Sequence, residues 1–175
     1  LTADTDQNVR NGAELLDNLL KDIVIASDTF DLPEFVSLLG ERIYTKHPNT
    51  RMFLISWVKE LFNAPNLKMV PYLPEVLDGF FQIQSDSTPK IRETCEAVLG
   101  EFLRSINEQP SEADLSHMVN ILIIHAQSED ELVQYIALVW LKDFLKLNKD
   151  EMIKFASGYM TAVLPCLAYI EDHRK

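Results

Sequence analysis

The chain has 175 residues and a mass of 20.1 kDa; 25% of its side chains are charged, 47% are apolar, and its mean hydropathy is −0.04. That is the composition of a folded globular chain with one core, not of a disordered one. Asp and Glu number 27 against 16 Lys and Arg, a net charge of −11, so phosphate backbones and anionic lipid surfaces are both repelled, which argues against nucleic acid and against direct electrostatic docking on a membrane.

The five glycines are scattered, with no two closer than 21 positions. A G-x-G-x-x-G or Walker loop needs several within one turn, so that backbone amides can close on phosphate, and none can be built. The same scarcity argues against Gly-rich hairpins and hence against a barrel or sandwich. Cys95 and Cys166 are the only cysteines; without a C-x-x-C they cannot form a zinc knuckle and read as small buried thiols in a reducing compartment. No secretory signal opens the chain and no run of about 18 uncharged apolar residues occurs. Leu1 is not a natural start, so the chain reads as an internal fragment.

In chain order the pattern repeats every 41 residues or so. Residues 7–27 carry Arg10, Ala13, Leu16 and Leu20, offsets of 3, 6 and 10 that fall on one face of a helix. Residues 32–63 begin with a helix on Phe35, Val36 and Leu39, turn at Lys46 to Asn49, and repeat the first pattern as Arg51, Leu54, Trp57 and Leu61. Residues 72–105 do the same with Val76, Leu77 and Phe80, a turn at Ser85 to Pro89, then Arg92, Cys95, Val98 and Phe102. Residues 115–147 follow with Met118, Val119 and Leu122, a turn at Ser128 to Asp130, then Gln134, Ala137, Trp140 and Phe144. Residues 157–169 match only the first half of a unit, and Glu171 to Lys175 reads as the next turn cut short. Asp, Asn and Ser in the turns suit helix N-caps, and Pro48 and Pro89 suit first helical positions.

Each full unit is therefore helix A, a polar turn, and helix B. A lone pair cannot bury both apolar faces, whereas stacked pairs share a continuous core. The expected fold is all-α: an α-α superhelix of HEAT repeats, an elongated solenoid with a half repeat at each end. Residues 7–27 lack their helix A and residues 157–169 lack their helix B. Turn acids and the first Arg of helix B recur, as Asp6 with Arg10 and Asp86 with Arg92, which predicts an Asp–Arg ladder between successive repeats.

Catalytic patterns are missing. His47, His117, His125 and His173 form no H-E-x-x-H, Ser116 and His117 are adjacent without a G-x-S-x-G elbow, and Glu129 to Glu131 sit in a turn as caps. His125 lies in an apolar segment and reads as a satisfied core histidine; Trp57 and Trp140 share one repeat position and read as core. No cofactor and no enzymatic activity are expected. What remains is surface. Counting outward from the buried set gives Met52, Ser56, Lys59 and Glu60, then Glu93, Ala97, Glu101 and Arg104, then Tyr135, Val139, Lys142 and Asp143. Of these, Met52, Lys59, Glu60, Glu93, Glu101, Tyr135, Val139 and Lys142 are the candidate partner-binding residues. Leu15 and Leu19 also point outward, a face for a missing upstream helix to cover.

Beyond the period, particular strings carry a resemblance: LLKDIV at 19–24, FDL at 30–32 leading to ERIY at 41–44, YLPEVLDG at 72–79, CEAVLGEFL at 95–103 and TAVLPCLAY at 161–169. From about residue 6 to the end they resemble the Vac14 family of HEAT-repeat scaffolds. The resemblance implies a noncatalytic scaffold that holds a FYVE-type phosphoinositide kinase, which makes phosphatidylinositol 3,5-bisphosphate, together with the opposing Sac-type phosphatase. It further implies cytosolic, peripheral and indirect association with endosome, vacuole or lysosome membranes, and self-association through regions outside this chain. No family site maps residue by residue onto 1–175. The competing reading is a HEAT-repeat adaptor of another kind that binds a protein cargo, for which the acidic charge would suit a basic partner.

Overall fold

The computed structural model describes residues 5–27 and 29–172, with side chains described as far as Pro165. Among the described residues there is no strand. The helices are α1 (Gln7–Ala26), α2 (Leu32–Arg42), α3 (Pro48–Asn63), α4 (Leu73–Ile83), α5 (Pro89–Glu108), α6 (Leu115–His125), α7 (Glu131–Leu147), the single turn α8 (Lys149–Met152) and α9 (Ala156–Asp172). Short 3-10 turns precede α4 and α6 and link α8 to α9.

Helix starts follow the local chemistry. Four aspartates close the first turns: Asp6 accepts from the Asn8 amide, Asp31 from Glu34, Asp114 from His117, and Asp130 from both Leu132 and Val133. The two helices that begin with proline, α3 and α5, have no side-chain cap on His47 or Thr88. Proline already lacks one of the amides a cap would satisfy.

The helices stack in two layers. In layer A, α2 packs on α4, α4 on α6, and α6 on α9; in layer B, α1 packs on α3, α3 on α5, and α5 on α7. The layers meet through pairs such as α4 with α5 and α6 with α7. This is the all-α superhelical stack that the repeat predicts. The repeating apolar positions form its core: Leu54, Trp57, Leu61, Cys95, Val98, Phe102, Ala137, Trp140 and Phe144 from layer B, and Val36, Val76, Phe80, Met118 and Leu122 from layer A, are all buried. Each such leucine or phenylalanine stabilises the fold by roughly 2–3 kcal/mol relative to an exposed one.

One expectation fails at the N-terminal end. Leu16 and Leu20 of α1 occupy the buried repeat positions, yet they are 51% and 44% exposed. Their pattern matches that of α3, α5 and α7, but among the described residues no layer-A helix lies against α1. The C-terminal end differs as well. The connector after α7 forms α8, capped by Asn148 accepting from the Glu151 amide. Asp150 and Glu151 in its first turn suit the helix dipole. Helix α9 runs on through Asp172, so the turn expected from Glu171 is helical at its start; His173 to Lys175 lie outside the described residues.

Candidate partner-binding face and inter-repeat contacts

The predicted ladder exists, with different partners. Asp86, 6% exposed at the turn before α5, receives a charge-assisted hydrogen bond from Arg51 Nη1, one repeat back. Arg92, the arginine of Asp86's own repeat, donates instead to the Asp86 carbonyl oxygen at 2.7 Å, as Arg51 Nε does to the Thr45 carbonyl. In the third unit Gln134 Nε2 donates to the Ala126 carbonyl at 3.1 Å. The first residue of helix B thus always ties down its own turn. The bridge to the next repeat forms only where that turn offers a carboxylate. The positions equivalent to Asp86 are Thr45 and Ser128, so Arg51–Asp86 is a single rung. Burial pushes the Asp86 carboxyl up, but the Thr88 amide, the Arg51 guanidinium and the Thr88 hydroxyl outweigh it and hold the carboxyl below its ordinary range.

Two further polar contacts cross repeats, and the repeat pattern does not announce either. In layer A, Asp78 on α4 accepts from Tyr44 Oη at 3.0 Å and lies 2.8 Å from His125 Nε2 on α6, so one carboxylate joins three successive units. The His125 ring also stacks on Phe81, with centroids 4.8 Å apart. It is the satisfied histidine that its apolar setting suggested. In layer B, Lys21 on α1 is 8% exposed and donates to Asp17 and to Ser56 Oγ, both at 2.7 Å. Trp57 Nε1 donates to the other Asp17 oxygen at 2.7 Å. Cys95 is buried and its Sγ lies 3.2 Å from the Phe80 carbonyl; burial pushes its thiol far up, so it stays protonated and unreactive. The Cys166 side chain and His173 lie outside the described residues.

The candidate binding residues fall into two groups. Glu60, Glu93, Tyr135 and Lys142 are exposed, Tyr135 by 65%. Met52, Lys59, Glu101 and Val139 are half-buried. Met52 packs against the core, and Lys59 reaches across from α3 to Glu101 on α5 at 3.9 Å. Sequence counting placed these four in solvent because it follows one helix at a time, whereas in the stack the flank of each B helix is covered by its neighbour.

The larger openings lie elsewhere, at the α1–α2 end. An open groove of about 710 Å³ runs along α2 past Phe30, Phe35 and Leu38, and another of about 340 Å³ lies between Leu16 and Leu20 of α1 and Phe53 and Trp57 of α3. Ser116 donates to Glu151 at 2.7 Å and has no triad partner, while His117 is exposed. Among the described residues no group of three or more His, Cys, Asp or Glu is arranged to hold a metal ion. No helix among them is long and apolar enough to cross a membrane.

Comparison with known proteins gives the family. A protein named VAC14 homologue from Arabidopsis thaliana is 40% identical over 172 residues, covering 98% of this chain and 23% of that protein. A VAC14 homologue from Schizosaccharomyces pombe is 39% identical over 263 aligned positions, covering 100% of this chain and 32% of that protein. The vacuole morphology and inheritance protein 14 of Saccharomyces cerevisiae is 33% identical over 145 residues, covering 61% of this chain and 16% of that protein. No family model and no solved structure matches. This chain spans about a third or less of the length of these relatives. Identity of this density over nearly every residue, on a two-layer helical stack, places the chain in the Vac14 family.

Proposed function

We propose that this chain is a noncatalytic solenoid segment of a scaffold that acts in vacuole morphology. The observation that carries the reading is the 40% identity over 98% of the chain to a VAC14 homologue, supported by a vacuole morphology protein among the relatives. The described side chains fit the reading. Their polar clusters are spent on joining repeats, Arg51 to Asp86 and Tyr44 to Asp78 to His125.

The finer reading rests on the family resemblance. The full-length protein holds a FYVE-type phosphoinositide kinase and the opposing Sac-type phosphatase in one complex on the cytosolic face of the vacuole, endosome or lysosome. It self-associates through regions outside these 175 residues. The contribution of this segment is a rigid run of repeats with an exposed B-layer face that includes Glu60, Glu93, Tyr135 and Lys142. The test is affinity purification of the full-length protein from its own cells, combined with its depletion. Recovery of both lipid enzymes, with enlarged vacuoles and a fall in phosphatidylinositol 3,5-bisphosphate on depletion, is expected. Recovery of neither enzyme, with normal vacuoles after depletion, would overturn the reading.

A further inference from the structure

The five glycines divide by layer. Gly40, Gly79 and Gly158 lie in layer A, and each is forced by a neighbouring helix: a Cβ would meet the Glu75 carbonyl oxygen at 2.9 Å, Ile43 Cγ2 at 2.1 Å and Ile123 Cδ1 at 2.5 Å. Gly12 and Gly100 lie in layer B, and a Cβ on either would meet nothing within 4 Å. Gly100 is in the middle of the 20-residue helix α5, where glycine costs roughly 0.5–1 kcal/mol relative to alanine. Nothing described in this chain's own packing requires it. Within this molecule a helical glycine elsewhere marks the closest approach of another helix, and at Gly100 that place is vacant and exposed. Gly12 does not carry the same weight, because the apolar side chains around it on α1 are themselves exposed.

The surroundings of Gly100 say what would approach. Arg104, one turn further along α5, and Lys142, at the Gly100 repeat position on α7, are exposed and have no acidic partner among the described residues. That is notable in a chain with 27 acids to 16 bases. The third residue at this repeat position, Lys59 on α3, is already paired to Glu101. Beside Lys142, α7 presents Tyr135, 65% exposed, and Val139. Exposed unpaired cations next to an aromatic ledge suit an amphipathic segment whose polar edge is acidic.

We propose that the outer face of α5 at Gly100 is the docking site for an amphipathic helix of a partner protein. Its backbone crosses over Gly100, an apolar side chain rests on Tyr135 and Val139, and an acidic side chain reaches Lys142 and Arg104. The inference rests on the scaffold reading above and names the surface and the kind of segment that surface takes. A second copy of this chain fits less well, because its exposed apolar helix α1 also carries Arg10 and Lys21 and would present no uniformly acidic edge.

The experiment measures binding of purified FYVE-type kinase and Sac-type phosphatase to the full-length scaffold, with melting temperature read in parallel. The variants are Gly100→Ala, Gly100→Gln and the pair Arg104→Glu with Lys142→Glu; Gly12→Gln is the control. Gly100→Ala is expected to raise the melting temperature. Gly100→Gln and the charge reversal are expected to weaken binding of one enzyme at least tenfold with the fold intact, and Gly12→Gln to leave it unchanged. Wild-type binding that all the variants match would overturn the docking site and leave the scaffold reading standing. Failure of the wild type to bind either enzyme would overturn both.

Discussion

Helices α1 and α5 are both 20 residues long and carry the same repeat, Arg10, Ala13, Leu16 and Leu20 against Arg92, Cys95, Val98 and Phe102. Helix α5 buries Ile91, Cys95, Val98, Leu99, Phe102 and Ile106, whereas the buried residue of α1 is Lys21. Nothing intrinsic to the two helices separates them. Helix α5 has α4 across the layer and α3 and α7 beside it, and α1 has α3. Burial in a solenoid is conferred by neighbours, so the same side chain at the same repeat position is worth several times more in the middle of the stack than at its end.

The largest expected effect tests that contrast directly. Phe102→Ala should destabilise the chain by about 3–5 kcal/mol through loss of a fully buried ring, while Leu20→Ala, at the equivalent position, should cost less than about 1 kcal/mol. Urea denaturation of both variants checks this, and equal losses would mean that α1 is packed as tightly as α5. Next come the glycines. Gly79→Ala should cost about 1–3 kcal/mol because Ile43 must move, whereas Gly100→Ala should gain up to about 1 kcal/mol because its Cβ meets nothing. Thermal melts of the pair decide it, and a loss at Gly100 would show that the face of α5 is already covered.

The rung comes third. Arg51→Ala breaks a pair in which Asp86 is buried and should cost about 1–3 kcal/mol; Arg92→Ala loses one bond to a carbonyl and should cost about 0.5–1.5 kcal/mol. Equal losses would mean that the bridge between repeats adds nothing to the tie within one. The smallest effect is the pH dependence of the same pair. The Asp86 carboxyl is held below its ordinary value, so its contribution is fully present above the ordinary carboxylate range and is lost as pH falls through the depressed value. Asp86→Asn should therefore flatten the fall in stability below about pH 4. A denaturation series from pH 7 to pH 3 that runs parallel for wild type and variant would show that the rung does not titrate with folding.

Much of the fold was legible because the period and the two helical faces are properties of single helices. Offsets such as Arg51, Leu54, Trp57 and Leu61 identify a helix and its buried side together, and the structure buries the three apolar ones. The ladder was half legible. A recurring arginine could be counted, but whether it faces back into its own turn or forward to the next depends on how two repeats are set against each other, and only Asp86 offered the forward acid. His125 illustrates the same limit: its apolar flanks announced burial, but its partner Asp78 is 47 positions away and shares no repeat position with it. The binding face was least legible, since Lys59, Glu101 and Val139 are shielded by adjacent helices that a single-helix projection does not contain.

By itself the sequence determined helix boundaries, the order of A and B helices and the apolar stripes, because these follow from dihedral preference, capping and 3.6-residue periodicity within one segment. Its shared strings also indicated the family. Tertiary structure alone decided which stripes are buried, which arginine crosses to the next repeat, and which glycines have a neighbour to accommodate. Those outcomes depend on the distance between side chains that are remote in sequence, and only the stacking of one pair on the next sets that distance.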